Sequence, residues 1–378
     1  MNKMPDTIDR ANAPLLSRFH AARGMADKLT RRFKKLAGRP DNSPWVRRPS
    51  NGAARSTYVD FLFGLDYISP NSRLVDLFQE AMSPYGLSVL LVNEANVDTI
   101  VAEVERGWLQ PHVYLDLASS TKSRFNDLAH AAAARGVYVI DNPADLTTWT
   151  HKATSHVRLE QAGLPLPPTV ILPRGSMDRE LTAEERARVG ERCVIKPSGG
   201  FGNRGVFVGV PPTIDQIAKA RDFDRNDDWL VQKMISWTRF ATPAGDRPAY
   251  VRGYHLLGHR SLMWWCKEGD TDHYELLSWE DLRKYDLLPA VDLIDRVASA
   301  SRVDFFSSEI AITKAEGPDR FVLIDYINDQ CDMDPEARTG TVPVPEAWIK
   351  WVCARLAEFT WRKKHGLARE AGKTLTLF

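Results

Sequence analysis

At 378 residues the chain is longer than a single hydrophobic core fills, so two or three packed domains are expected. With 43% hydrophobic and 26% charged residues it has an ordinary globular composition, and its longest apolar runs, such as SVLLVN and RFVLID, are strand-length, which excludes a helix of the roughly 20 residues that a bilayer requires. Cys193, Cys266, Cys331 and Cys353 are widely spaced without a C-x-x-C, which argues against a disulfide framework or a structural zinc site, and the net charge of +1 is close to neutral.

The charge is unevenly distributed. Residues 1–55 hold thirteen Lys or Arg against four Asp, leaving 37 against 45 acidic residues in the remainder. Residues 1–12 lack the apolar centre of a secretory signal, so the expected location is the cytoplasm. Leu15, Leu16, Phe19, Ala22, Ala26, Leu29, Phe33 and Leu36 recur at helical spacing among Arg18, Lys28, Arg31, Arg32, Lys34 and Lys35, which predicts a basic amphipathic helix. It suits docking on the protein itself or on a sister subunit in a homo-oligomer, and also contact with nucleic acid or an anionic surface. Residues 38–55, rich in Pro, Gly, Asn and Ser, read as a linker.

From residue 56 strand and helix signals alternate. Strands are predicted at 57–65, 87–93, 111–117 and 136–141, with helices near 71–85, 96–107 and 121–135, which makes 56–145 a small α/β domain with a parallel sheet. The turn after its first strand, FGLDYISPNS, has too few glycines to bind a dinucleotide. Next comes one predicted helix, TTWTHKATSHVRLEQAGLP, with Thr147, Thr148 and Thr150 as available caps and Gly163 as its stop.

The stretch CVIKPSGGFGNRGVFVG, residues 193–209, places glycines at 199, 200, 202 and 205 between two β-like runs. A Walker loop has its lysine after the glycines and a helix behind it, whereas Lys196 comes first and a strand follows. A dinucleotide loop also requires a helix there, and a protein kinase has the glycine flap before the V-A-I-K strand. What remains is a hairpin whose glycines let backbone N–H groups approach phosphate oxygens. Downstream, DWLVQKMI (228–235) reads as a strand, PAYVRGYHLLGHRSLMWW (248–265) as a second hairpin carrying Arg252, and residues 305–335 as two strands carrying Glu309, Asp325 and Asn328.

Lysine strand, glycine hairpin, linker strand, arginine strand and acidic strand pair occur here in an order that resembles ATP-grasp enzymes. The resemblance spans about 57–335. It implies a mixed α/β and α+β protein: an ATP-grasp fold of two α+β subdomains clasping ATP, after a small parallel-sheet α/β pre-ATP-grasp domain. The expected segments are the basic helix and linker (1–55), the pre-ATP-grasp domain (56–145), the N-terminal subdomain with its glycine lid (146–235), the C-terminal subdomain with its metal site (236–340), and a C-terminal helix and tail (341–378) lying on the outside. By resemblance, Lys152, Lys196, Ser198, Gly199, Gly200, Gly202 and Gly205 would hold the phosphates, Gln232, Lys233 and Met234 the adenine edge, and Arg252 with Lys196 the transferred phosphate. No acidic residue for the ribose stands out. Two carboxylates and an amide oxygen, Glu309, Asp325 and Asn328, make a hard-oxygen site for Mg²⁺. The spacing Asp325-Tyr-Ile-Asn328 is one residue longer than the family's pattern, so strict alternation would send the two side chains to opposite faces unless a β-bulge intervenes. Asp329 or Asp332 would be the substitute ligand.

The reaction implied is joining of a carboxylate to an amine through an acyl phosphate, with ADP and phosphate released. A hydroxyl kinase or a regulatory ATP binder without turnover is the alternative. Small-molecule substrates are expected, and the basic helix also fits a peptide or tRNA-linked substrate. His255, His259 and His273 read as structural. The mix of aromatic and acidic residues at 266–282 is expected to line the acceptor site together with the first domain.

Overall fold

The computed structural model describes residues 57–65, 72–119, 122–200, 204–236, 238–242, 245–248, 250–268, 271–336, 343–367 and 374–378. The expected basic helix, the linker and Gly202 lie outside the described residues. The described residues divide into two compact units, those up to 139 with those from 349 to 367, and those from 140 to 348 with 374–378.

The first unit alternates β1 (Thr57–Gly64), α1 (Arg73–Met82), β2 (Val89–Val92), α2 (Val97–Glu105), β3 (Leu109–Asp116) and α3 (Ser123–Ala134). Its sheet runs β2-β1-β3-β4, with β4 at Tyr138–Ile140, and β1 lies parallel to both neighbours. Residues 59–64 of β1 are all buried, because helices cover both faces of a parallel sheet. Phe61 and Phe63 meet Phe78 of α1, while Leu62 belongs to the cluster with Val101, Val104, Phe125 and Leu128 of α2 and α3.

The second unit opens with two short helices where the sequence predicts one, α4 (Pro143–Trp149) and α5 (Lys152–Gln161). None of the three threonines is an N-cap. Asn142 caps α4 and His151 caps α5, whereas the hydroxyls of Thr147 and Thr150 donate back to the carbonyls of Pro143 and Leu146. His151 takes an extended conformation, which ends one helix and starts the next. Gly163, with φ at +71°, stops α5 as expected.

A four-stranded sheet follows in the order β5-β8-β6-β7, from β5 (Thr169–Leu172), β6 (Cys193–Pro197), β7 (Phe207–Val210) and β8 (Trp229–Lys233). Every pairing in it is antiparallel, and α6 (Ala183–Val189) and α7 (Ile214–Arg221) supply Val189, Ile217 and Ala220 to its core around Trp229 and Ile195. The small hairpin of β9 (Arg239–Thr242) and β10 (Gly245–Pro248) leads to a six-stranded sheet. Its strands are β11 (Tyr250–Leu256), β12 (His259–Glu268), β13 (Thr271–Leu276), β14 (Phe305–Ile312) and β15 (Phe321–Asn328), in the order β13-β12-β11-β14-β15, with β16 (Thr374–Thr376) parallel to β12.

Between β13 and β14 run α8 (Trp279–Lys284) and α9 (Leu288–Ser301), and α9 covers the sheet with Ile294 and Val297. Gly253 on β11 allows this approach, since a Cβ there would lie 2.5 Å from the Ile294 side chain. The segment 266–282 folds as the end of β12, then β13 and the start of α8. The last helix, α10 (Glu346–Lys364), buries one face, and its residues from 349 on group with the first unit.

Candidate functional site

The site residues that fall among the described ones all belong to the second unit. On the four-stranded sheet, Gln232 pairs with Thr169 on one side and Val194 on the other, and Lys196 lies two residues beyond Val194. Strand alternation therefore puts Thr169, Gln232, Val194 and Lys196 on one face. That face meets β15: Lys196 Nζ donates to the Ile324 carbonyl at 2.9 Å and stands 3.9 Å from Asp325 Oδ1, and Gln232 Nε2 donates to the Tyr326 hydroxyl at 2.6 Å.

On the six-stranded sheet, Arg252, Glu309 and Asp325 are cross-strand neighbours in a single row. The pairing of β14 with β15 shifts register on both sides of Glu309. This is the irregularity that the extra residue in Asp325-Tyr-Ile-Asn328 calls for, and it sets Glu309 against Asp325 and Ser307 against Asn328. Arg252 donates to Glu309 Oε1 and, at 3.1 Å, to the Tyr274 hydroxyl, with its guanidinium 4.6 Å from the Trp265 ring centre. The Asp329 charge bears on Asp141 and Cys331, and Asp332 accepts the Asp334 N–H.

Three cations and two carboxylates thus share one locus. Burial makes Glu309 harder to ionise, and the neighbouring Asp325 charge adds to the effect, so its carboxyl lies above the usual range despite Arg252. Burial opposes ionisation of Asp325 too, but Lys152, Lys196 and Arg252 together outweigh it and hold that carboxyl below the usual range. Lys196 is lowered by burial, with Lys152 contributing and the two carboxylates opposing. One positive charge in excess, with Lys196 and Arg252 nearly buried and Asp325 partly open to solvent, suits a polyanion.

Lys152, the first residue of α5, reaches the Gly200 carbonyl through its side chain and the Ser198 carbonyl through its N–H. Ser198 is fully buried and donates its N–H to the Asp228 carbonyl, while its hydroxyl accepts from Ala153. The Gly199 N–H goes to Asp227 Oδ2 at 2.7 Å. The base of the glycine hairpin is therefore tied to α5 and to the loop before β8, and the N–H groups of Ser198 and Gly199 are already used inside the protein. Gly205 has φ at +73° and a Cβ there would lie 2.7 Å from the Phe223 ring, so both its backbone and its packing call for glycine. The N–H groups of Lys233 and Met234 bond to the carbonyls of Pro168 and Arg192.

The histidines stand apart from the carboxylate row. His255 stacks on Phe306 and accepts the Gly258 N–H, His259 bonds Thr374, and His273 pairs with Cys266 on an outer strand. Sequence reading missed a second buried group: His156 Nδ1 lies 2.6 Å from the Tyr326 hydroxyl, which also receives Gln232. Its one sequence signal is the tyrosine inserted between Asp325 and Asn328.

The donor chemistry of these side chains bears on a divalent cation. Among the described residues no group of three or more His, Cys, Asp or Glu could hold a metal. Glu309 and Asp325, with the Asn328 amide one register step along, offer hard oxygens. Mg²⁺ needs no more than one or two carboxylates when waters and phosphate oxygens complete its shell, so the donor set fits.

No protein-family model matches the chain, and no curated protein matches it by sequence. Solved structures do resemble it. D-alanine–D-alanine ligase from Bacillus anthracis, complexed with ATP, superposes with a TM-score of 0.56 at 11% identity, over 81% of this chain and 99% of that one. A RimK domain ATP-grasp protein from Sphaerobacter thermophilus gives 0.54 at 18% identity, over 79% and 98%. The ATP-grasp ligase PsnB, complexed with a minimal precursor, Mg and ADP, gives 0.51 at 13% identity, over 81% and 98%.

Proposed function

The chain has the ATP-grasp fold, and from that premise we propose that it is an ATP- and Mg²⁺-dependent ligase joining a carboxylate to an amine through an acyl phosphate. The observation that carries this reading is the row Arg252–Glu309–Asp325 facing Lys196, with Lys152 close enough to bias Asp325.

In this reading Lys152 and Lys196 hold phosphate oxygens. Arg252 turns its planar fork to the transferred phosphoryl group, where two parallel N–H donors match two oxygens. Glu309 and Asp325, with Asn328 as a third donor, would hold Mg²⁺, which supplies neutralisation of the charge on the phosphates. The carboxylate substrate attacks the terminal phosphorus and ADP departs; the amine then adds to the acyl carbon and phosphate leaves. Placement and charge compensation account for the rate, with no enzyme nucleophile. Gly200, Gly202 and Gly205 serve as the lid, anchored through Ser198 and Gly199, and residues 232–234 border the adenine.

Both substrates are proposed to be small molecules, in the cytoplasm. D-alanine–D-alanine ligase joins small molecules, whereas PsnB was captured with a precursor, so the basic segment 1–55 could serve a larger substrate. Deleting it separates the two classes: turnover of a small substrate survives only if the segment is accessory. The decisive assay incubates the protein with ATP, Mg²⁺ and pooled amino acids and small acids, following phosphate release and new masses. A ligase yields ADP, phosphate and an amide; a phosphorylated product points to a kinase, and neither product to a regulatory binder. Lys196→Ala and Asp325→Asn should each abolish hydrolysis, and unchanged turnover in both would sink the site assignment.

A further inference from the structure

We propose that Thr169, Tyr326 and His156 lock the Gln232 amide in one orientation, so that only its carbonyl oxygen faces a bound nucleobase, and that this selects a purine with a 6-amino group over its 6-oxo counterpart. The inference rests on the nucleotide-binding reading above.

The orientation follows from counting protons. The Thr169 hydroxyl donates to the Pro167 carbonyl at 2.7 Å, so towards Gln232, 3.0 Å away, it can only accept. The amide atom on that side must therefore be the nitrogen. The second hydrogen of the same nitrogen goes to the Tyr326 hydroxyl at 2.6 Å, and Tyr326 in turn has its own proton for His156 Nδ1 at 2.6 Å. His156 accepts there as the neutral ring protonated on Nε2. Burial supports this, holding its pKa down at about 4, with Lys196 adding to the effect. Turning the amide over would set its oxygen against the Thr169 lone pairs in a site where Gln232, Tyr326 and His156 are all almost fully buried.

Gln232 Oε1 is what remains. It has no hydrogen-bond partner among the described residues, and both amide hydrogens are used. It sits on the sheet face that carries Lys196, the face on which the cationic group gathers. A fixed acceptor pairs with the exocyclic amine of adenine. It meets the 6-oxo group of hypoxanthine lone pair to lone pair, and a buried polar group left unpaired costs about tenfold or more in affinity. Tyr326, His156 and Thr169 act through Gln232 and are positioning residues.

The test compares equilibrium binding of ATP and inosine triphosphate, which share sugar and phosphates and differ in the 6-substituent and in N1, an acceptor in adenine and an N–H donor in hypoxanthine. The reading that isolates Gln232 is therefore the change of ratio in variants of its lock. The wild-type chain should favour ATP by about tenfold or more. Removing both acceptors together, in the Tyr326→Phe/Thr169→Val double variant, frees the amide to turn, so the ratio should fall towards one, chiefly through weaker ATP binding, while Thr169→Ser keeps the hydroxyl and the wild-type ratio. A variant that merely loosened the fold would weaken both triphosphates alike and leave the ratio standing. Equal wild-type affinities, or an unchanged ratio in the double variant, overturn the inference alone. Failure of the wild-type chain to bind either triphosphate overturns the nucleotide reading and the inference with it.

Discussion

Arg252 and Glu309 illustrate how one residue's charge constrains its neighbours. Both are shielded from water, at 9% and 16% side-chain exposure, and the guanidinium is always charged. Removing the carboxylate leaves that charge stranded, so Glu309→Gln should lower the unfolding free energy by about 3 kcal/mol, measured by chemical denaturation. His156 makes an opposite kind of demand, since it must stay neutral. Its folded pKa of about 4 lies below the ordinary 6.5, so between these values the unfolded chain binds more protons than the folded one. Its contribution is complete above pH 6.5 and is lost as the pH falls through 4, amounting to about 3 kcal/mol at full protonation. His156→Gln should remove that slope from the stability profile; an identical profile for the two proteins would mean that the imidazole is not held neutral. Neither demand is visible in the sequence, because Arg252 is 57 residues from Glu309 and His156 is 170 from Tyr326. Residue types and strand order indicate which side chains do chemistry. They do not indicate which distant side chain holds each of them in place.

At the scale of elements, the sequence is legible wherever local pattern decides. The alternation in residues 57–141 gives four parallel-sheet strands and three helices close to their observed bounds, and the glycine hairpin and both later hairpins are where their turns place them. The break at residues 150–151 is hidden because histidine is an uncommon cap and the polar run around it keeps helical character. The register shift around Glu309 is foreseeable only by comparing one spacing with a family pattern. Strands β9, β10, β13 and β16 are missed because they are short or form outer pairings whose stabilisation comes from their neighbours. Helix α6 shows an element whose start is fully local. The Thr182 hydroxyl accepts the Glu185 N–H at 3.1 Å and Glu185 accepts the Thr182 N–H at 2.8 Å, while Arg179 holds the Glu185 carboxyl down at about 2. Thr182→Ala should cost about 1 kcal/mol in denaturation experiments. Because the Glu185 pKa is depressed from 4.5, the part that depends on its charge is present above pH 4.5 and disappears as the pH falls towards 2. Arg179→Met should flatten that window, and a window unaffected by the change would remove Arg179 as the cause.

Across the whole molecule, the chain begins one compact unit, builds a second, and returns to the first. Residues 349–367 belong with the opening α/β segment, although more than two hundred residues separate them. The return is made by α10, on which Ile349, Val352, Cys353, Leu356 and Ala357 are fully buried. Phe359 meets Tyr138 edge to face at 4.9 Å, and Lys364 pairs with the buried Asp60 of β1 at 3.0 Å. The inner face of this helix completes a core, so truncating the side chains on that face has a cost. Leu356→Ala should therefore destabilise the first unit by about 3 kcal/mol, and Ile310→Ala, in the core of the six-stranded sheet, should do the same to the second. Hydrogen exchange followed by mass spectrometry reads the two separately. If the units open independently, Leu356→Ala speeds exchange in peptides covering β1 and β3 and leaves β11, β14 and β15 protected, and Ile310→Ala gives the reverse. Faster exchange across all five strands in both variants would mean that the chain opens as one cooperative body, and the division at residues 139 and 349 would then have no energetic meaning.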